Sequence, residues 1–198
     1  MTYSGIAGDK FDFIPVDLSN PVHSEFVYDL IAACRAEMLD DYCNNIPMAM
    51  EAAHQGILNH QVVGSLVVIE TQAGPRFAGA IWIEIDRNDI AKIHGGLLPE
   101  FRCGFLAIQI FREFIRQVFQ YTALRKIEGW MPLNCRGAEA VLRWCGFTKE
   151  GLIKEAYTIN GEPHPLVLLG LTRRQFEGIQ NGKRTKGRLN GNRGARRR

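Results

Sequence analysis

Between His94 and Phe119 the sequence reads HGGLLPEFRCGFLAIQIFREFIRQVF, and its residue types suit the holding of phosphate. An apolar piece interrupted by Gly95 and Gly96 runs into a Pro-Glu-Phe-Arg-Cys-Gly turn, and a long amphipathic segment follows. The first amides of a helix lack intrahelical acceptors and, with the helix dipole, favour anions. Arg102 adds a positive charge at that point. The same pattern equally describes an ordinary strand-to-helix junction. Two side chains offer further chemistry. His94 carries an imidazole, a group suited to proton exchange near neutrality. Cys103 stands at the expected helix N-terminus, where a thiol becomes more acidic. A cysteine nucleophile needs a base arranged beside it, and the sequence places none there.

The elements that must position these residues follow from hydrophobic periodicity. A lead-in holds a short strand over 11–16, and Asn20-Pro21 offers a helix entry. Phe26, Leu30, Ala33 and Met38 fall near one face, which predicts a helix over 23–39. Asn44-Asn45-Ile46-Pro47 breaks it, and a shorter helix ends near Asn59. VVGSLVVIET and FAGAIWIEID are β-branched, apolar runs around a TQAGPR turn and read as a hairpin. IAKIHGGLLP is a third strand of this group, and LRKIEGWMP a fourth. Between them, Leu106, Ile110, Phe114, Ile115 and Val118 form a broad stripe on a helix over 104–121. NCRGAEAVLRWCGF is a short helix ending at Gly146, a good C-cap position. Two last strands meet at Asn160-Gly161, a strong hairpin dipeptide, and FEGIQNG closes the fold. The order predicts an α+β domain built on one mixed, mostly antiparallel sheet flanked by helices.

Charge divides the chain at about residue 180. The segment from Asn181, NGKRTKGRLNGNRGARRR, holds eight of the 24 Lys and Arg residues and no acid, leaving 16 basic residues against 21 acidic ones before it. The body is therefore acidic and the net charge of +3 belongs to the tail. That predicts a domain over 1–180 and a flexible basic tail over 181–198, too poor in apolar residues to pack. The tail has no aromatic residue on which bases could stack. Its expected role is nonspecific, salt-sensitive contact with nucleic acid or with an acidic protein surface. An acidic body without a recognition motif argues against a sequence-specific reader of DNA or RNA. The five cysteines are odd in number and form no CxxC pair, so free thiols are expected and a metal site is not. No apolar run approaches the roughly 20 residues of a bilayer span. MTYSGIAGDKF lacks the basic start and apolar core of a signal peptide. The expected location is cytoplasmic, without membrane contact.

Two segments, LLPEFRCGFLA over 97–107 and NCRGAEAVLRWCGFTKEG over 134–151, followed by a hairpin, resemble the GCN5-related N-acetyltransferase superfamily over roughly residues 60–177. The resemblance implies the acyl-CoA N-acyltransferase fold, acetyl-CoA as cofactor and an amine as acceptor. It implies that strands 91–98 and 125–131 run parallel and splay apart. Pantetheine would lie between them against the backbone of Leu97 and Leu98. The turn Arg102, Cys103, Gly104, Phe105, Leu106 and Ala107 would aim amides at the pyrophosphate, and Asn134 would hold the cofactor arm. Glu84 and His94 are then candidate bases, and Tyr157 a group reaching the thiol side.

Two positions depart from the family pattern. Phe105 stands where the phosphate loop usually has glycine, whose missing side chain lets backbone approach phosphate closely. Its ring is expected either in the core, leaving the cleft usable, or in the cleft, closing it. Leu142 stands where many members carry a tyrosine able to protonate the leaving thiolate. These departures keep open a second reading, a non-catalytic structural or interaction protein on the same fold. A viral particle component whose basic tail contacts nucleic acid is one version.

Overall fold

The computed structural model describes residues 11–33, 46–59, 61–87, 89–102, 104–133, 135–159 and 162–181. Cys103, Asn134, the hairpin tip at Asn160-Gly161 and the tail beyond Asn181 lie outside them. Seven strands form one sheet in the spatial order β1-β2-β3-β4-β5-β7-β6. They span Phe11–Pro15 (β1), Val62–Thr71 (β2), Gly74–Arg87 (β3), Ile90–Leu97 (β4), Lys126–Pro132 (β5), Thr148–Ile159 (β6) and Glu162–Thr172 (β7). The helices are Pro21–Ala33 (α1), Ile46–Leu58 (α2), Gly104–Tyr121 (α3), Arg136–Trp144 (α4) and Arg173–Gln180 (α5), with a 3-10 turn at Pro99–Phe101. The architecture is the expected mixed, mostly antiparallel α+β sheet with helices on both faces.

The main core lies under α3. Ile110, Phe114, Ile115 and Val118 bury the stripe that the sequence marks, against Ile81, Ile83, Ile127, Leu169 and Leu171. A smaller core on the other face joins Val27, Leu30 and Ile31 of α1 to Leu66 and Ala80. Each fully buried side chain of this size contributes roughly 1.5–3 kcal/mol of hydrophobic transfer energy, so the α3 face dominates stability.

Three boundaries differ from the sequence reading. Ile46 and Pro47, read from the sequence as part of the break before the second helix, are the first residues of α2, because a first-turn residue has no intrahelical acceptor to lose and proline's fixed φ suits it. β6 begins at Thr148, three residues before the expected start, held by pairing with Gly170 and Leu169 of β7. The closing segment is a helix, α5. Thr172 caps it by accepting from Gln175 N, while Gln175 Oε1 accepts from Thr172 N at 2.8 Å. That Thr-x-x-Gln capping box was legible in the sequence. The expected end of α4 is as read: Gly146, at φ 103°, donates to Arg143 O, and Phe147 donates to Leu142 O. Both bonds of a Schellman motif are therefore made. Arg173 then ties α5 to the far end of α3, donating from Nε to Leu124 O at 3.0 Å and from Nη2 to Thr122 O at 2.7 Å. A guanidinium at a helix C-terminus satisfies orphan carbonyls and opposes the dipole.

Candidate functional site

Among the described residues β4 and β5 are the only parallel neighbours in the sheet, and they pair over three positions: Ile90↔Lys126, Ala91↔Ile127 and Lys92↔Glu128. Beyond Lys92, β4 pairs with β3 alone, and beyond Glu128, β5 pairs with β7 alone. The strands thus part midway, as expected. The gap opens into a cavity of about 590 Å³. Its walls include His94, Gly95, Gly96 and Leu97 of β4, Gly129 and Trp130 of β5, and Ala107 in the first turn of α3. Helix α4 closes one side, with Leu142 buried and reaching Gly129, where any Cβ would meet its Cδ1.

The charge of this cavity has one sign. Arg102 and Arg136 line it, and no carboxylate does among the described residues. Arg136, at the start of α4, was not singled out by the sequence; its place beside the diverging strands is a tertiary result. Arg102 folds back, donating from Nε to Leu97 O at 2.7 Å. Leu98, by contrast, does not line the cavity, and its amide donates to Ala78 O of β3 at 2.8 Å. Leu106 is half-buried against the core under α3.

Phe105 adopts neither of the two expected positions. It is 69% exposed and lines no wall of the cavity. At the first turn of α3, the core-facing positions are Ala107 and, one turn on, Ile110. Phe105 is two residues before Ala107, about 200° around a helix of 3.6 residues per turn, and so faces away. Bulk at this position is therefore compatible with an open cleft.

His94 and Glu84 come together. Trp82 of β3 faces His94 of β4 in register, and Glu84 sits two residues along the same face. The imidazole stacks on the Trp82 indole, with centroids 5.6 Å apart and planes 11° from parallel. His94 Nε2 lies 3.3 Å from Glu84 Oε2, off the axis of a good hydrogen bond. The His94 contact holds the Glu84 carboxyl below its ordinary value of 4.5; partial burial pulls the other way, and Lys92 adds a further lowering field. Glu84 is therefore a carboxylate throughout the neutral range.

Tyr157 is not part of this pair. It lies on β6, buried and stacked on His164 at 5.7 Å, and lines neither principal cavity. Burial, and then the charge of Cys135, push its hydroxyl pKa up. Cys135, just before α4, forms no disulfide among the described residues and lines the cavity wall. Cys145 is buried, and burial pushes its thiol up to about 11. Among the described residues no group of His, Cys, Asp or Glu is arranged to hold a metal ion, and no helix is long and apolar enough to cross a membrane.

A splayed parallel pair beside a helix N-terminus, in a sheet of this order, defines the fold of the GCN5-related N-acetyltransferases. Solved structures with that fold superpose on most of the chain. The microcin C7 self-immunity acetyltransferase MccE, in complex with acetyl-CoA and AMP, is 20% identical and covers 86% of this chain and 97% of its own, at a TM-score of 0.67. A chimera of the Vibrio cholerae spermidine N-acetyltransferase SpeG is 15% identical, covering 84% and 98%, at 0.70. The ribosomal L7/L12 α-N-protein acetyltransferase RimL, in complex with coenzyme A, is 17% identical, covering 82% and 93%, at 0.68. At these identities the likeness establishes the fold. No curated protein matches the sequence. The chain belongs to the family described as protein of unknown function (DUF2824), whose model matches residues 34–181.

Proposed function

We propose that the protein is an N-acetyltransferase that takes an acetyl group from acetyl-CoA and passes it to an amine. The observation that carries this reading is the parting of β4 and β5 into a cavity lined, among the described residues, by two arginines and no carboxylate. Such a cleft suits a ligand that is apolar along its arm and anionic at its phosphates. The residues present fit acetyl-CoA. Gly95 and Gly96 add no side chain to the β4 wall, and Arg102 and Arg136 supply positive charge. The first-turn amides of α3, over 104–107, add dipolar support for phosphate.

Acetyl-CoA would supply a thioester carbonyl open to attack. The amine nitrogen forms the new C–N bond, the C–S bond breaks, and the sulfur leaves with the electron pair and is protonated. His94, whose ring lines the cavity while its buried Nε2 is turned to Glu84, takes the amine proton. Glu84, 3.3 Å away, stabilises the resulting imidazolium and holds the ring in place together with Trp82. Leu142 cannot protonate the leaving sulfur, so that proton comes from solvent or from Cys135 on the same wall.

Calorimetric titration of acetyl-CoA into the full chain at 0.3 M salt, which screens attraction to the basic tail, is expected to show saturable one-to-one binding. Phe105→Ala should change that affinity less than about 3-fold, equivalent to about 0.7 kcal/mol, since the ring is outside the cleft. Absence of binding at millimolar ligand would favour the second reading, a non-catalytic protein on this fold, to which the buried, aprotic Leu142 lends support.

Glu84→Gln is expected to lower kcat/KM for the acceptor by about 100-fold, the lower range for loss of assisted proton transfer. Affinity for acetyl-CoA should be retained, because Glu84 does not line that cavity. Stopped thiol-release assays and calorimetry on the same variant separate the two; equal losses in both would contradict the assignment.

A further inference from the structure

Trp144, in the last turn of α4, is 69% exposed. It stands two residues after the buried Leu142, about 200° around the helix, so its ring faces away from the core. The backbone beneath it is fixed. Arg112 of α3 donates from Nη2 to Trp144 O at 2.7 Å. The next residue, Cys145, is buried, with its Sγ 3.7 Å from Ile108 O. An indole with two rotatable bonds on such a backbone offers contact area at low entropic cost. The ring is also remote from the arginine-lined cleft. Arg136 at the start of α4 lines that cavity, and Trp144 follows eight residues on, about 12 Å along the helix axis.

The basic tail begins beside this ring. A Cβ added at Gly146, two residues after Trp144, would strike Ile179 Cδ1 in the last turn of α5, and Asn181 follows two residues later. From Asn181 the sequence carries eight Lys or Arg residues and no acid. Glu139, the acid of α4, accepts from Arg143 Nη1 at 3.2 Å and is offset. Glu177 is the one carboxylate of α5. Eight cations complement a polyanion, and an exposed indole at their root complements a flat, unpaired base. We propose that the end of α4 and the basic tail together bind single-stranded nucleic acid, the tail taking phosphates and Trp144 stacking on a base. The tail has no aromatic residue of its own, and the fold supplies one where it starts. A duplex hides its base faces in the stack, so it engages the cations but not the ring. The indole also favours nucleic acid over an acidic protein, because every base has a π-face to offer it and acidic side chains have none. This inference does not depend on the N-acetyltransferase reading.

The test uses the full chain and four labelled probes: oligothymidylate, oligouridylate, a DNA duplex and polyglutamate. Each has about 20 units, longer than the site of one single-strand-binding module. Binding is read by fluorescence anisotropy at about 0.1 M salt, where charge attraction persists. A single strand is expected to bind at least about 5-fold more tightly than the duplex. Charge alone gives the reverse order, since the duplex has the denser phosphates. The thymidylate and uridylate arms distinguish DNA from RNA, and a preference for either over the duplex supports the proposal. Trp144→Ala should weaken single-strand binding about 5- to 10-fold, equivalent to about 1–1.4 kcal/mol, and leave duplex affinity and the salt dependence unchanged. Trp144→Phe, which keeps a ring, should recover most of the loss. Arg196→Gln, Arg197→Gln and Arg198→Gln together should flatten the slope of log affinity against log salt by about 2, at roughly 0.7 per phosphate. Duplex or polyglutamate binding as tightly as both single strands would overturn the inference, and so would a Trp144→Ala protein of parental affinity. The first comparison needs no variant and decides the matter even if Trp144→Ala does not fold.

Discussion

Gly79→Val is expected to destabilise the protein by about 3 kcal/mol, the upper range for overpacking, lowering Tm by roughly 6–12 °C for a domain of this size. Gly79 faces Leu97 across the β3–β4 ladder. A Cβ there would strike the Gly96 carbonyl oxygen and stand 2.9 Å from the Leu97 Cα. Both obstacles are backbone, which cannot rotate away as a side-chain tip can. Relief requires β4 to move, and the part that must move, Gly96 and Leu97, is the wall of the arginine-lined cleft. The variant should therefore lose ligand affinity along with stability. Gly137→Ala provides the contrast, since nothing lies within 4 Å of its added Cβ. In a helix that change should not reduce stability. Thermal and urea melts of both variants decide the matter; a Gly79→Val protein within about 1 kcal/mol of the parent would show that the ladder yields more easily than close packing allows.

Lys126→Met should cost about 3–5 kcal/mol, because it strands a buried carboxylate. Glu128 is the buried acid of the sheet, with its side chain 7% exposed. Lys126 Nζ stands 2.9 Å from Glu128 Oε1 and also donates to Glu150. Trp130 Nε1 donates to Glu128 Oε2 at 3.1 Å. Burial pushes the Glu128 carboxyl up, but the Lys126 and Trp130 hydrogen bonds outweigh it and leave the group below its ordinary 4.5. A carboxylate with a lowered folded pKa contributes stability above its unfolded value and loses it as pH falls through the folded one. In the parent, that loss should begin only below about pH 4.5. In Lys126→Met, unopposed burial should raise the pKa, so the acid limb of the stability curve should move to higher pH. The double variant Lys126→Met, Glu128→Met should recover the larger part of the loss, since removing both partners leaves no orphan charge. Urea midpoints measured from pH 3 to 7 test all three statements. A single variant as stable as the parent would mean that water reaches Glu128. The pair matters to the site as well: Trp130 borders the cleft, and Lys92 lies 4.9 Å over its ring, so this network holds one wall in position.

Much of the frame was legible along the chain. The bounds of α3 follow from an apolar stripe of period 3.6, and its buried residues are those that stripe marks. The β2–β3 hairpin and the Schellman end of α4 follow from local rules, β-branched alternation in one case and a glycine at φ > 0 in the other. The closing helix was not read from the sequence, although its Thr172–Gln175 box is a local signal for it. The place of β7 was not legible. It inserts between β5 and β6, and a strand's spatial neighbour depends on which apolar faces remain uncovered once the other strands have paired.

The sequence by itself determined the elements, their order and the acidic body with its basic tail, because these depend on neighbours within a few residues and on composition. It brought Glu84 and His94 forward as separate candidates, ten positions apart. Only the tertiary structure decided that a three-residue parallel pairing ends in a cleft, that Phe105 points out of it, and that His94 and Glu84 meet across a strand register. It also decided the charge of the cleft, where arginines from 102 and 136 come together. Those are relations between residues far apart in the chain, set by strand order and by which face of the sheet each side chain takes, and local sequence patterns carry no record of them.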